Sequence, residues 1–199
     1  MTMKKVSVVV VTLILISIRV DAAKVPGRIV YDDRTVDVTL MIPTYLTGEA
    51  NLSVMQGVVK YVDVQGKRQL LYPGQAKEVQ FDFQGRAYRL VASTNGLTAK
   101  HADMFLALVV EGPVMLYQYQ YVYPGYTSGR LVNNFRVTNS YMIRREGEEK
   151  VEEVTSLGFK KKMSGYFADC PKLVEKIRDE NLKRRDMEEI VRYYNKRSK

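Results

Sequence analysis

Residues 104–122 read MFLALVVEGPVMLYQYQYV, two runs of apolar and aromatic residues on either side of Glu111-Gly112-Pro113. Valine, phenylalanine and tyrosine favour strands, and a short connection that carries glycine is typical of a β-hairpin. Such a connection is too short to hold a crossover helix, so the two strands must run antiparallel. This stretch therefore predicts an antiparallel sheet and argues against a parallel α/β fold.

Four further pairs of runs repeat this arrangement around short polar turns. The pairs are Arg28 to Tyr31 with Val36 to Ile42, Val58 to Val64 with Gln69 to Tyr72, Val79 to Phe83 with Arg86 to Ala92, and Phe135 to Ile143 with Lys150 to Val154. Five hairpins at this spacing predict a mainly β domain over residues 23–157, folded as an antiparallel barrel or sandwich.

The apolar period changes near Leu157 to that of a helix. The apolar positions that recur at helical spacing are Phe159, Met163 and Tyr166, then Leu173, Val174 and Ile177, and finally Met187, Ile190, Val191 and Tyr194. Asp169, two residues before Pro171, is predicted to cap the middle helix, and Asp186 with Glu189 resembles a capping box for the last one. Residues 158–199 are therefore predicted to form two or three C-terminal helices packed on the β domain.

The start of the chain has the pattern of a targeting segment. Lys4 and Lys5 precede 13 mostly apolar residues, Val6 to Ile18, a run shorter than the roughly 20 residues that span a bilayer. Val20 and Ala22 put small residues at the −3 and −1 positions of a cleavage site. Residues 1–22 are therefore predicted to be a signal peptide, with an uncleaved N-terminal anchor as the alternative.

Export defines the expected compartment. The chain is predicted to be periplasmic or on the cell surface, with no transmembrane segment after signal cleavage. It is not expected to be a lipoprotein, because the only cysteine, Cys170, lies far from the cleavage point. Nucleic acid is not expected as a partner, since export separates the protein from it and no nucleic-acid-binding motif is present.

The net charge of +9 is concentrated at one end of the chain. Residues 158–199 hold 13 basic and 7 acidic side chains, whereas residues 23–157 hold 15 basic and 14 acidic ones. The basic residues cluster at Lys160-Lys161-Lys162 and at Lys183-Arg184-Arg185. Such clusters attract phosphates, anionic lipids or acidic proteins, although a solvated helix face has the same composition. We therefore treat them as a candidate patch for an anionic envelope component.

Alternate residues of one predicted strand are tyrosines. Tyr117, Tyr119, Tyr121 and Tyr123 would share one face, opposite Gln118, Gln120 and Val122. Aromatic rings with hydroxyl tips suit contact with a sugar, a peptide or another envelope protein. The same row is equally consistent with cross-strand packing that covers the sheet.

No catalytic constellation is evident. The chain lacks the nucleophile-elbow, P-loop, dinucleotide-binding and zinc-protease motifs, and we assign no catalytic residue. An enzyme would have to use His101 with Asp103, or Cys170 at a helix start where its thiol would be activated. One histidine and one cysteine cannot form the usual Cys/His zinc site or an intramolecular disulfide, so we predict no metal site and no cofactor.

Three segments resemble a loosely defined set of small exported proteins of Bacteroidota. They are the FLxLxxxGPxxLY hairpin within residues 104–117, the YFxDCPxL segment of residues 166–173 and the IVxxYN ending of residues 190–195. The resemblance covers about the last half of the chain. That set carries no assigned activity, so the resemblance implies compartment and architecture only, together with a structural corner at Asp169-Cys170-Pro171.

These observations lead to one functional expectation and two alternatives. We expect an exported, noncatalytic envelope or surface protein that acts as a binding or interaction module. The alternatives are a hydrolase acting on an envelope polymer and a small structural subunit of an envelope assembly.

Overall fold

The computed structural model describes residues 22–45, 47–93, 103–127, 130–148, 150–180 and 182–197, and for residues 123–127 and 130–136 it describes the backbone alone. The predicted signal segment up to Asp21 lies outside these residues, and so does His101. The described chain forms ten strands: β1 (Ala23–Val30), β2 (Thr35–Ile42), β3 (Val59–Val62), β4 (Arg68–Leu71), β5 (Glu78–Phe83), β6 (Arg86–Ser93), β7 (Met104–Val110), β8 (Val114–Thr127), β9 (Arg130–Arg145) and β10 (Glu152–Val154). Four α-helices accompany them: α1 (Leu52–Met55), α2 (Phe159–Tyr166), α3 (Pro171–Asp179) and α4 (Met187–Asn195).

The ten strands form one antiparallel sheet in the order β10-β9-β8-β7-β6-β5-β1-β2-β3-β4. All five predicted hairpins are present, and the fold is mainly β with helices at the C-terminus, as predicted. The predicted barrel or sandwich is wrong, because the described strands belong to a single open sheet. Closing a sheet needs two edge strands that pair along their length, and here β4 has four residues and β10 has three.

Strands β8 and β9 form a further hairpin that is not among the five predicted ones. The pattern ends one strand at Val122 and begins the next at Phe135, but β8 continues to Thr127 and β9 begins at Arg130. The strands pair along this whole length, with a register shift between Pro124 and Gly125. Proline and glycine in a strand ordinarily weaken it, and here the irregularity in register accommodates them.

The first core lies on one face of strands β1–β7 and is closed by α1. Its fully buried members include Ile29, Leu40, Val79 and Phe105. Along β2 the buried Val38, Leu40 and Ile42 alternate with less buried residues, as a half-buried strand requires. Helix α1 is tied to β8 by the side chain of Gln56, which donates to the Gln120 carbonyl (3.2 Å) and accepts from the Gln120 amide (2.7 Å). The Gln56 side-chain amide therefore bonds both backbone groups of Gln120, as the backbone of a neighbouring strand does in a sheet.

The second core lies between the C-terminal helices and strands β7–β10. It contains Val114, Leu116, Ile143 and Val154 from the sheet. The helices contribute Phe159, Met163, Phe167, Leu173, Ile177, Met187, Ile190, Val191 and Tyr194. The predicted apolar stripes of α2, α3 and α4, except Val174, thus face this shared core.

Of the two predicted helix caps, Asp169 is wrong and Asp186 is right in position only. The residue that caps α3 is Cys170, whereas the Asp169 carboxylate lies 3.0 and 3.2 Å from the Arg145 guanidinium. Asp186 does precede α4, but its carboxylate accepts from the Lys183 amide at 2.8 Å, within a single 3-10 turn at residues 184–186. The Asp169 carboxylate therefore binds the Arg145 guanidinium, and the Asp186 carboxylate binds the Lys183 amide, in place of an amide of the helix that each was predicted to cap.

The three segments that carry the resemblance contact one another. The Tyr194 hydroxyl donates to Asp169, and the Asn195 side chain accepts from the Val114 amide (2.9 Å) and donates to the Val114 carbonyl (2.7 Å). Residues 167–170 join α2 to α3 as a helix-to-helix corner. These residues therefore hold the helical segment on the β7–β8 hairpin.

None of the described helices is long and apolar enough to cross a membrane.

Candidate functional site: a basic groove

Two basic clusters that are twenty residues apart in sequence meet at one groove. The groove has a volume of about 680 Å³ and lies where α2 begins and the chain enters the 3-10 turn before α4. Its described lining consists of Ser156, Gly158, Phe159, Lys160, Lys161, Leu182, Lys183, Arg184 and Arg185. The structure thus turns two separate charge runs into a single concave surface.

The lengths of α2 and α3 explain this convergence. With eight and nine residues, the two helices are about 12 and 14 Å long, and the corner at residues 167–170 reverses the chain between them. The chain therefore returns to the start of α2 when α3 ends. A hydrogen bond marks the meeting point, because the Lys160 ammonium donates to the Arg178 carbonyl at 2.8 Å.

The basic side chains divide into fixed and exposed groups. Arg184 is anchored to the sheet, because its guanidinium donates to the Ser140 hydroxyl at 3.3 Å. The apolar lining residue Phe159 is also fixed, since its side chain is buried in the second core. Lys161 is exposed, and the side chain of Arg185 is 80% exposed. Of the six residues in the predicted patch, Lys162 does not line the groove. Its ammonium donates instead to the Thr155 hydroxyl at 2.8 Å.

The described lining of the groove carries an excess of positive charge. Five of its nine described lining residues are basic and none of the nine is acidic. The nearest acid in sequence, Asp186, is occupied by the Lys183 amide and lies 3.6 Å from the Arg185 guanidinium. Arginine forks and lysine ammonium groups are the donors that bind phosphate and carboxylate oxygens. The groove is therefore suited to an anion.

A second charged cluster provides a useful contrast. Arg89 on β6 contacts both Glu78 (Nη2–Oε2 3.0 Å) and Glu111 (Nη1–Oε2 2.6 Å). The two carboxylates raise the pKa of Arg89 by accepting its hydrogen bonds. Because its acids and bases pair internally, this cluster has a structural role and lacks the excess charge of the groove.

An exposed leucine stands at the edge of the groove. Leu157 is 87% exposed, the highest value among the large apolar side chains of the described residues. Its two chain neighbours, Ser156 and Gly158, both line the groove, and the Leu157 carbonyl accepts from the Thr155 hydroxyl at 3.2 Å. An exposed apolar residue thus lies between two residues that line the groove.

The tyrosine row is only partly accessible. Tyr117 is 2% exposed and packs against Met104, Leu106 and Met142. Its hydroxyl accepts from the Arg144 guanidinium at 3.0 Å, and burial raises its pKa. This ring is used in packing and offers no surface to a partner.

Further along the strand the tyrosines are half-buried. The rings of Tyr119 and Tyr121 meet edge to face, with centroids 4.5 Å apart. The side chain of Tyr123 lies outside what the structure describes. A partner-binding role for this row stays a prediction.

The residues on which an enzyme would depend are not brought together in the described part of the chain. Asp103 is exposed and directly precedes β7. Cys170 packs on the second core, which contains Val110 from the opposite end of β7. His101 lies outside the described residues. Among the described residues no group of three or more His, Cys, Asp or Glu side chains is arranged to hold a metal ion.

Two features of this region do not follow from the sequence pattern. The two charge runs are visible in the sequence, but their convergence depends on the reversal between α2 and α3. Leu157 marks only a change of period in the sequence, although an apolar residue between Ser156 and Gly158 is a signal of exposure in a loop.

Comparison with known families, with curated proteins and with solved structures finds no match to this chain.

Proposed function

We propose that this protein is an exported, noncatalytic binding module that holds an anionic component of the cell envelope in its basic groove. The observation that carries the proposal is the convergence of five basic side chains on one concave surface, with no acidic residue among its described lining. The N-terminal segment supports export, which makes the envelope the source of the ligand. Envelope anions include phosphates, carboxylates and sulfates, all of which accept hydrogen bonds from lysine and arginine.

Charge reversal inside the groove tests this function. Lys161 and Arg185 are exposed, so the double variant K161E/R185E should fold normally. We expect it to lose at least about 30-fold in affinity for isolated envelopes, since each basic group contributes roughly a few-fold to tenfold and each reversal also adds repulsion. The measurement is co-sedimentation of the purified exported protein with envelopes at low and high salt.

A matched control separates this effect from net charge. Lys24 and Lys60 are also exposed and do not line the groove, so K24E/K60E has the same net charge as the groove variant. It should bind envelopes nearly as well as the natural protein. Equal binding by the natural chain and K161E/R185E would show that the groove is not the binding surface.

A further inference from the structure

We propose that the groove and Leu157 together form a docking site for the surface of a bilayer that contains anionic phospholipids. This inference rests on the proposed function and names the anion as a lipid phosphate. In this arrangement the basic side chains contact headgroup phosphates, and Leu157 enters the boundary between headgroups and acyl chains.

The first support is the position of Leu157. The backbone of its loop is held by the Thr155 hydroxyl on one side and by the start of α2 on the other, so the side chain projects from a supported loop. An exposed leucine has no favourable contact in water, and its transfer into an apolar phase is favourable.

The second support is the charge that surrounds this leucine. Its neighbours Ser156 and Gly158 belong to the lining that also contains the five basic residues, so the exposed leucine lies at the rim of the cationic groove. Lys162, which follows Lys161 on α2, is exposed as well. A soluble anion needs only the cations, whereas an anionic bilayer matches both the cations and the leucine.

The third support is the comparison with Val64, the next most exposed large apolar residue of the described chain at 77%. Val64 lies in the turn between β3 and β4, where the Asp63 carboxylate accepts from the Gln65 and Lys67 amides. That turn also holds the exposed Lys67 and leads into the exposed Arg68, so the charge around Val64 is mixed, whereas the described groove lining beside Leu157 contains no acidic residue. The described chain therefore has two strongly exposed apolar tips, and the one at Leu157 adjoins a lining with five basic residues and no acidic one.

The deciding measurement uses vesicles of defined composition. The exported protein, with its N-terminus read by mass spectrometry, is sedimented with vesicles of phosphatidylcholine alone or mixed with phosphatidylglycerol. We expect binding to the anionic vesicles only, and salt should weaken it. L157S should bind about 10-fold more weakly and K161E/R185E at least about 30-fold more weakly. The control V64S should bind as the natural chain does.

All variants share the same N-terminus, so differences between them report on the folded surface. If K161E/R185E loses envelope binding but L157S binds anionic vesicles as well as the natural chain, the lipid proposal is overturned and the groove still binds an anion. The lipid proposal is also overturned if the natural chain ignores anionic vesicles while binding envelopes through the groove. If K161E/R185E binds both envelopes and vesicles normally, the proposed function and the lipid inference fail together.

Discussion

Asp169 illustrates how a single side chain can be assigned the wrong partner from sequence. Its position before Pro171 predicts a helix cap, but its carboxylate accepts from both Arg145 and Tyr194. Arg145 also donates to the Tyr194 hydroxyl (2.6 Å) and to the Tyr166 carbonyl (2.6 Å). A strand, the corner after α2 and the last helix are therefore joined by one guanidinium, in a geometry that spacing along the chain does not reveal.

At the residue scale we predict that D169N makes stability less dependent on pH. The hydrogen bond from Arg145 holds the pKa of Asp169 below its ordinary value of 3.8. A carboxyl with a lowered pKa stabilises the fold at higher pH, and that stabilisation is lost as pH falls through the folded-state pKa. Because the Asp169 side chain is about half exposed, D169N should cost up to about 1 kcal/mol near neutral pH and less as the pH falls below 3.8.

Urea denaturation of the natural chain and D169N from pH 7 to pH 2 measures this difference. A constant gap between the two unfolding free energies across that range would contradict the prediction. Asp179 at the end of α3 provides the control, because it is exposed and D179N should have little effect.

At the element scale the β7–β8 turn and α4 are fitted to each other. Gly112 has a φ of +150°, and a Cβ built there would lie 2.8 Å from the Asn195 Cγ. Asn195 in turn bonds both backbone groups of Val114. The turn glycine and the helix asparagine therefore depend on each other, and the absence of a side chain at residue 112 is what lets the helix end approach.

We predict that G112A destabilises the protein by about 2 kcal/mol or more, because it adds backbone strain and a contact with Asn195. Thermal unfolding followed by circular dichroism measures the change. Gly57 is the matched control, since a Cβ there would meet nothing within 4 Å. G57A should melt near the natural temperature, and an equal effect of the two substitutions would show that the Asn195 contact is unimportant.

At the scale of the whole molecule, one open sheet carries two cores. The first is closed by α1 and the second by the C-terminal helices, with β7 contributing to both. The C-terminal segment is therefore part of the folded body in this structure, because it covers an apolar face of β8 and β9 that would otherwise meet water. The basic groove is a consequence of that packing, since it lies where α2 and the entry to α4 meet.

We predict that a chain ending at Asp186 does not fold stably. It lacks α4, whose Met187, Ile190 and Val191 are fully buried and whose Tyr194 is nearly so. Four such side chains contribute roughly 6–12 kcal/mol, comparable with the entire stability of a domain. A chain ending at Lys196 retains α4 and serves as the control. Limited proteolysis and thermal melting of both chains measure the effect, and an unchanged cooperative melt of the shorter chain would refute it.

The sequence by itself determined the local elements. Alternating apolar residues and short polar turns, four of them with glycine, predict five hairpins that the structure contains. Helical spacing after Leu157 predicts the stripes of α2, α3 and α4. These features depend on neighbours a few residues apart, which is why they can be read from one chain. The two basic runs that form most of the candidate site are also visible in the sequence, although not as one site.

Only the tertiary structure decided how these elements meet. Four features involve residues that are distant in sequence. They are the pairing of β1 with β5, the open edges at β4 and β10, the burial of Tyr117, and the joining of Lys160 and Lys161 with residues 183–185. Many alternative pairings of the same hairpins satisfy the local pattern equally well. The choice among them depends on the summed packing of both cores, and no short motif encodes that sum.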